Sequence, residues 1–276
     1  MKIENKPTAL HQYILQWGMK KLPFGEEMQE EPCWNAQTRK ARDWLDRIAE
    51  LKGIMVLSGG HGTGKSYLLG WWSGQLESKR YCPVIVTQAT LTGSGLFGAI
   101  LLKLGSDPSL HKSRNLERFE KVLEGLGKRT LIVILDEAQG YSDEALEEIR
   151  LLHGLNLEKG SRFSLILSGD KSLLKKLQMR VNQALTSRVL SLVRLEEWSQ
   201  EDQEQIWEHE CRINELREDS LAAGVKELIQ RSSEGNPRKL KQLLRTAWIV
   251  ASESGSTEIK QEHAQEAVES QLWTTS

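Results

Sequence analysis

Cysteine is scarce in this chain: Cys33, Cys82 and Cys211 are the only three among 276 residues, and no two form a C-x-x-C pair. That argues against a zinc ribbon or a disulfide framework and fits a reducing compartment. Net charge is just as scant. Lys and Arg number 37 against 38 Asp and Glu, for a sum of −1. No global basic field marks a nucleic-acid binder, so a DNA role needs a local patch or an assembly that aligns small ones. No apolar run reaches the ~18 residues that a bilayer span requires. The opening MKIENKPTAL also lacks the apolar stretch of a signal peptide. These absences lead to the expectation of a soluble, cytoplasmic protein with no membrane contact. The length is enough for one large domain and a smaller one.

Tryptophan is what the chain has in excess: nine, at 17, 34, 44, 71, 72, 198, 207, 248 and 273. They are scattered, and several sit at helical spacing among Leu and Ile, which points to core or interface packing rather than base stacking. Residues 1–35 read as a polar N-terminal arm, punctuated by Pro23 and Pro32. From 36 to 195, short apolar runs alternate with amphipathic ones. A helix over 38–53 stopping at Gly53 precedes five strands: IMVLSGG, PVIVTQA, TLIVILDEAQG, FSLILSGD and the end of ALTSRVLSLVRL. Ser142 and Asp143 are cap candidates for the helix SDEALEEIRLLHGL. Such alternation predicts an α/β domain with a parallel sheet covered on both faces. From 196 to 276 the strands stop, and four helical patterns predict a small all-helical subdomain.

Gly59-Gly60-His61-Gly62-Thr63-Gly64-Lys65-Ser66 fits G-x-x-x-x-G-K-[ST] between a predicted strand and a helix that continues through Tyr67. Glycines let the backbone wrap with its N–H groups facing phosphates, and the helix N-terminus adds its dipole. Lys65 can reach the β- and γ-phosphates of ATP, while the Ser66 hydroxyl can ligate Mg²⁺. Asp136, ending the apolar run LIVIL, is placed to hold Mg²⁺ through its water shell, on a strand expected beside the P-loop strand. Glu137 can orient and polarise an attacking water, which favours hydrolysis over transfer to a bound acceptor. Ser168 and Asp170 stand at the tip of FSLILSGD, a strand also expected to adjoin the P-loop strand, and one of them, with Asp170 favoured, is expected to report the γ-phosphate. Arg188 in TSR precedes the last strand. It is either a solvated surface group or one that reaches a neighbouring subunit's nucleotide. Arg238, beside Pro237 at a helix start, is a further candidate for the nucleotide or else a cap.

The order of these motifs over roughly 36–270 resembles the AAA+ ATPases. Gln139 in DEAQ, the following LEEIRLLHGLNLE and the leader WGMKKLPFG narrow the likeness to ExeA-like secretion ATPases and to the TnsC, TniB and MuB regulators of transposition. The resemblance implies a five-stranded parallel sheet followed by a helical lid. It assigns Lys65 and Ser66 to phosphate and magnesium, Asp136 and Glu137 to magnesium and water, Asp170 to the sensor, Arg188 to the arginine finger and Arg238 to the lid sensor. Asp170 departs from the Thr, Asn or Gln more usual in the family, which implies slow hydrolysis or Ser168 in its place.

The leading functional expectation is an ATP-dependent regulator of DNA transposition. It assembles head-to-tail on duplex DNA as a ring or filament, recruits a transposase and lets go on hydrolysis. The resemblance places the DNA grip after the second strand, at Thr90, Thr92 and Ser94, with Lys103, Lys112 and Arg114 beyond. Alternatives are a soluble ExeA-type secretion or envelope-assembly ATPase, a clamp-loader- or initiator-like ATPase, and an ATP-gated scaffold that does not hydrolyse. The membrane segment and cell-wall-binding region of ExeA-type proteins would have to follow the lid, where this sequence reaches Ser276.

Overall fold

The computed structural model describes residues 8–25, 31–87, 93–154 and 162–271. The chain divides into two compact units, one of residues 34–196 and one of residues 1–33 with 197–276.

The first unit is an α/β layer structure. Strands β1 (Ile54–Gly59), β2 (Tyr81–Val86), β3 (Thr130–Leu135), β4 (Phe163–Gly169) and β5 (Val189–Leu195) form one sheet in the order β2-β3-β4-β1-β5. Every pairing is parallel. The three inner strands are buried along almost their whole length, as apolar runs covered on both faces must be. Strand β4 lies between β1 and β3. The strand ending in Asp136 is therefore not beside the P-loop strand, as the sequence suggested, but one strand removed. The strand ending in Ser168 occupies that place. Nothing in a run such as TLIVIL encodes which parallel neighbour it takes, because the crossover connections decide it.

Alternation along the strands sends side chains to two cores. On one face, Met55, Leu57, Ile132, Ile134 and Ile166 pack under α2 (Ala36–Leu51) and α3 (Lys65–Gln75). On the other, Val56, Val133, Leu135, Leu165 and Leu167 pack under α4 (Gly93–Lys103), α5 (Lys112–Gly125), α6 (Asp143–His153), α7 (Lys171–Gln178) and α8 (Gln183–Thr186). Local chemistry sets the helix ends. Asn35 and Thr38 form a reciprocal capping box at α2. The Ser142 hydroxyl accepts the Ala145 N–H at 3.2 Å, and Asp143 and Glu144 occupy the first turn of α6. At the other end of α2 it is Lys52, not Gly53, that turns left-handed (φ 51°). Gly53 passes close to β5 instead: a Cβ there would displace the end of the exposed Leu190 side chain and lie 3.2 Å from Ile48.

The second unit is helical: α1 (Ala9–Gln16), α9 (Gln200–Asn214), α10 (Val225–Ser233), α11 (Pro237–Glu253) and α12 (Gln261–Gln271). Its core contains Trp198, Trp207 and Trp248, together with Trp17, Met19 and Phe24 from the N-terminal arm. Tryptophan as packing material is what the spacing implied; Trp273 lies outside the described residues. The burial of the arm is new. The Trp17 indole donates to Ser252 Oγ at 2.8 Å, and Phe24 stacks on Trp207 with ring centroids 5.8 Å apart. Among the described residues, no helix is long and apolar enough to cross a membrane.

Candidate nucleotide-binding site

All five strands run the same way, so their C-terminal ends share one edge of the sheet, where open α/β sheets present ligand crevices. The Gly59–Ser66 loop leaves β1 at that edge and enters α3. Gly62 and Gly64 have positive φ of 79° and 94°, conformations that glycine tolerates and bulkier residues resist. Gly59 has no room for a side chain, since a Cβ would meet the Leu195 carbonyl and come 2.8 Å from Thr63 Oγ1. Thr63 donates its hydroxyl to the Gly60 carbonyl at 2.9 Å, which closes the loop on itself. Lys65 is buried and folded back, donating to the Gly59 and Gly60 carbonyls at 2.8 and 2.9 Å. Helix α3 starts on Gly64 with no side-chain cap. A helix N-terminus that follows a glycine loop at a strand's end is the arrangement that receives phosphate. Ser66 is exposed and Tyr67 half-buried on the first turn; the His61 side chain projects into solvent.

Asp136 and Glu137 follow β3 at the same edge. Asp136 is buried; its Oδ1 accepts the Glu137 N–H at 3.1 Å, and its own N–H reaches the Val86 carbonyl at 2.9 Å. Glu137 takes a left-handed turn (φ 51°), which lifts the chain off the strand into the short 3-10 turn Ala138–Gly140. Leu135 and Leu167 are register partners, so Asp136 and Ser168 both stand one step beyond that pair. Both continue the alternation of Ile134 and Ile166, which face the α2–α3 core. The Ser168 hydroxyl is wholly buried and has no hydrogen-bond partner, an unusual state for a buried polar group. A buried carboxylate, an unpaired hydroxyl beside it and an uncapped helix start suit a Mg²⁺–nucleotide, with Ser66 and Asp136 as the oxygen donors the metal would take.

Asp170 has a different local role. It is the N-cap of α7, accepting the Ser172 N–H at 2.8 Å and the Ser172 hydroxyl at 2.5 Å, with His61 Nε2 at 3.6 Å. The Ser172 bonds, more than His61, hold its carboxyl below the usual range. Arg188 is exposed and lies against the C-terminus of α6: a Cβ on Gly154 would be 2.5 Å from its guanidinium, and cations are favoured at that helix end. Nearby, burial lowers the His153 imidazole below its ordinary value, and Arg188 adds to the shift. In the helical unit, Arg238 is exposed on the first turn of α11. The capping is done by Asn236, whose side chain accepts the Arg238 and Lys239 N–H groups at 3.1 Å each.

Of the proposed DNA contacts, Thr90 and Thr92 lie outside the described residues, as does the side chain of Ser94. Lys103 ends α4 and Arg114 is in the first turn of α5, both exposed. Lys112 pairs at 2.8 Å with the buried Glu148. Gln139, which the sequence offered only as a mark of resemblance, proves to be a contact of both Glu137 and the tip of β4.

Fold and loop together define a P-loop nucleotide-binding protein, and comparison with known proteins agrees. Residues 48–177 match the family model of the AAA domain. The chain is 26% identical over 213 residues to general secretion pathway protein A of Aeromonas hydrophila; the match covers 75% of this chain and 38% of that protein. Its fold is similar to that of the Aeropyrum pernix ORC2 protein in ADPNP–ADP complexes (TM-score 0.69, 17% identity, 90% of this chain and 70% of that one). The ORC1 protein of the same organism, in complex with DNA, is also similar (TM-score 0.65, 19% identity, 87% and 66%). At such identities the likeness establishes the AAA+ fold rather than the work done with it.

Proposed function

We propose that the chain is an ATPase that uses ATP as a conformational switch, and that the switch governs its hold on duplex DNA during transposition. The observation that supports an ATP switch best is the convergence on one sheet edge of the P-loop, the buried Asp136 and Glu137. Lys65 and the α3 N–H groups bind the phosphates. The Ser66 hydroxyl and the Asp136 carboxylate would hold Mg²⁺, which would supply positive charge at the phosphates. Glu137 orients the attacking water and takes its proton, a role worth about 10²–10⁴ in rate where general bases act. Ser168 or Asp170 reports the γ-phosphate; the unpaired hydroxyl favours Ser168. Arg188 acts on the nucleotide of a neighbouring copy, and Arg238 is the corresponding group of the lid.

Duplex DNA is the partner we favour, bound through Lys103, Arg114 and the 88–94 segment of many aligned copies, with a transposase recruited to the assembly. The likeness of fold to an ORC1 protein in complex with DNA supports the DNA half of this reading. A secretion-type ATPase is the second reading, supported by the match to general secretion pathway protein A. Duplex-DNA binding by fluorescence anisotropy, with ATP, with ADP and without nucleotide, separates the two. The DNA reading expects binding with ATP only, lost in Lys65→Ala and weakened as salt rises. Absence of binding under every nucleotide contradicts it.

A further inference from the structure

The carboxamide of Gln139 bridges two parts of the site that no covalent path joins closely. Its Nε2 donates to Glu137 Oε2 at 2.5 Å, and its Oε1 accepts the backbone N–H of Asp170 at 3.3 Å. Only this orientation of the amide satisfies both ends, since a carboxylate accepts and an N–H donates. The β4 tip is shaped around the bridge. A Cβ on Gly169 would collide with Gln139 Oε1, so glycine is the residue that leaves the amide its place. Lys176 of α7 holds the turn from below, donating to the Gln139 carbonyl at 3.1 Å and to that of Tyr141. Glu137 itself sits on a left-handed residue, a conformation with no neighbouring strand or helix ladder to fix its side chain.

We propose that Gln139 is a positioning residue for ATP hydrolysis. It anchors one oxygen of Glu137 to the γ-phosphate-sensing end of β4 and leaves the other free to face water. This rests on the hydrolytic reading of Glu137. Through the bridge, a displacement of Asp170, whose carboxylate also faces His61 of the P-loop, is carried to the Glu137 carboxylate.

Substitution at the two ends of the bridge tests it. In turnover assays, Gln139→Ala and Gly169→Ala are each expected to lower kcat by about 10- to 100-fold through misplacement of Glu137, with ATP affinity unchanged. Wild-type turnover with both variants unaffected overturns the role of Gln139 alone. No turnover by the wild-type chain overturns the hydrolytic reading of Glu137 and this role with it.

Discussion

The two units bury polar groups in opposite ways. In the α/β unit the inner strands are aliphatic nearly throughout; Lys65, Asp136 and Glu137 stand at the sheet edge, and the buried Glu148 and His153 lie on α6. In the helical unit an ionisable group is at the centre. Glu210 is fully buried, paired with Lys241 at 2.6 Å, and it accepts the Phe24 N–H at 3.0 Å and the Asn214 amide at 2.9 Å. Arg245 in turn donates to the Phe24 carbonyl at 3.1 and 2.5 Å. The first arrangement leaves polar groups for a ligand. The second consumes them in tying the N-terminal arm to the helices, and so it does structural work.

Breaking the central pair tests that contrast most severely. Glu210→Ala leaves the Phe24 N–H without its acceptor and the largely buried Lys241 without its carboxylate, while Asn214 keeps the residue-210 carbonyl; removal of one member of a buried pair costs about 3–5 kcal/mol. Denaturant unfolding of the helical unit is expected to shift by that much. A shift below about 1 kcal/mol would place the pair among surface-like bridges. Cys33 sharpens the contrast with a smaller effect. Burial, rather than its charged neighbours Lys241 and Glu210, pushes its thiol up to about 11. The thiolate is the reactive form, so alkylation of Cys33 at pH 8, mapped by mass spectrometry, is expected to be about 100-fold slower in the native protein than in the unfolded chain. Equal rates would show that the arm does not shield this position.

The same contrast governs what the sequence discloses. The P-loop and the Asp136-Glu137 pair are contiguous and carry their chemistry in residue type, so their structural context is readable from spacing, and the strands announce themselves by apolar runs. That β4 adjoins β1 was expected, but that it parts β3 from β1 is not readable, because strands buried on both faces look alike. The arm was opaque for another reason. Trp17, Met19 and Phe24 show no helical period, and their partners lie far along the chain, as with Trp17 and Ser252 or Phe24 and Trp207. Gln139 joins Glu137 across a left-handed turn and Asp170 across 31 positions, a geometry that no periodic pattern reports. Asp170 looked like a sensor by position, yet its carboxylate caps α7, a use equally natural for Asp before a helix.

The central claim is that Glu137 drives ATP hydrolysis at a site whose nucleotide affinity comes from the P-loop. It is tested most directly by measuring phosphate release and ATP binding together for wild type and Glu137→Gln. The expected result is a fall in turnover of about 10²–10⁴ with ATP affinity retained. Equal turnover in the two proteins, or loss of ATP binding in Glu137→Gln, would contradict the account.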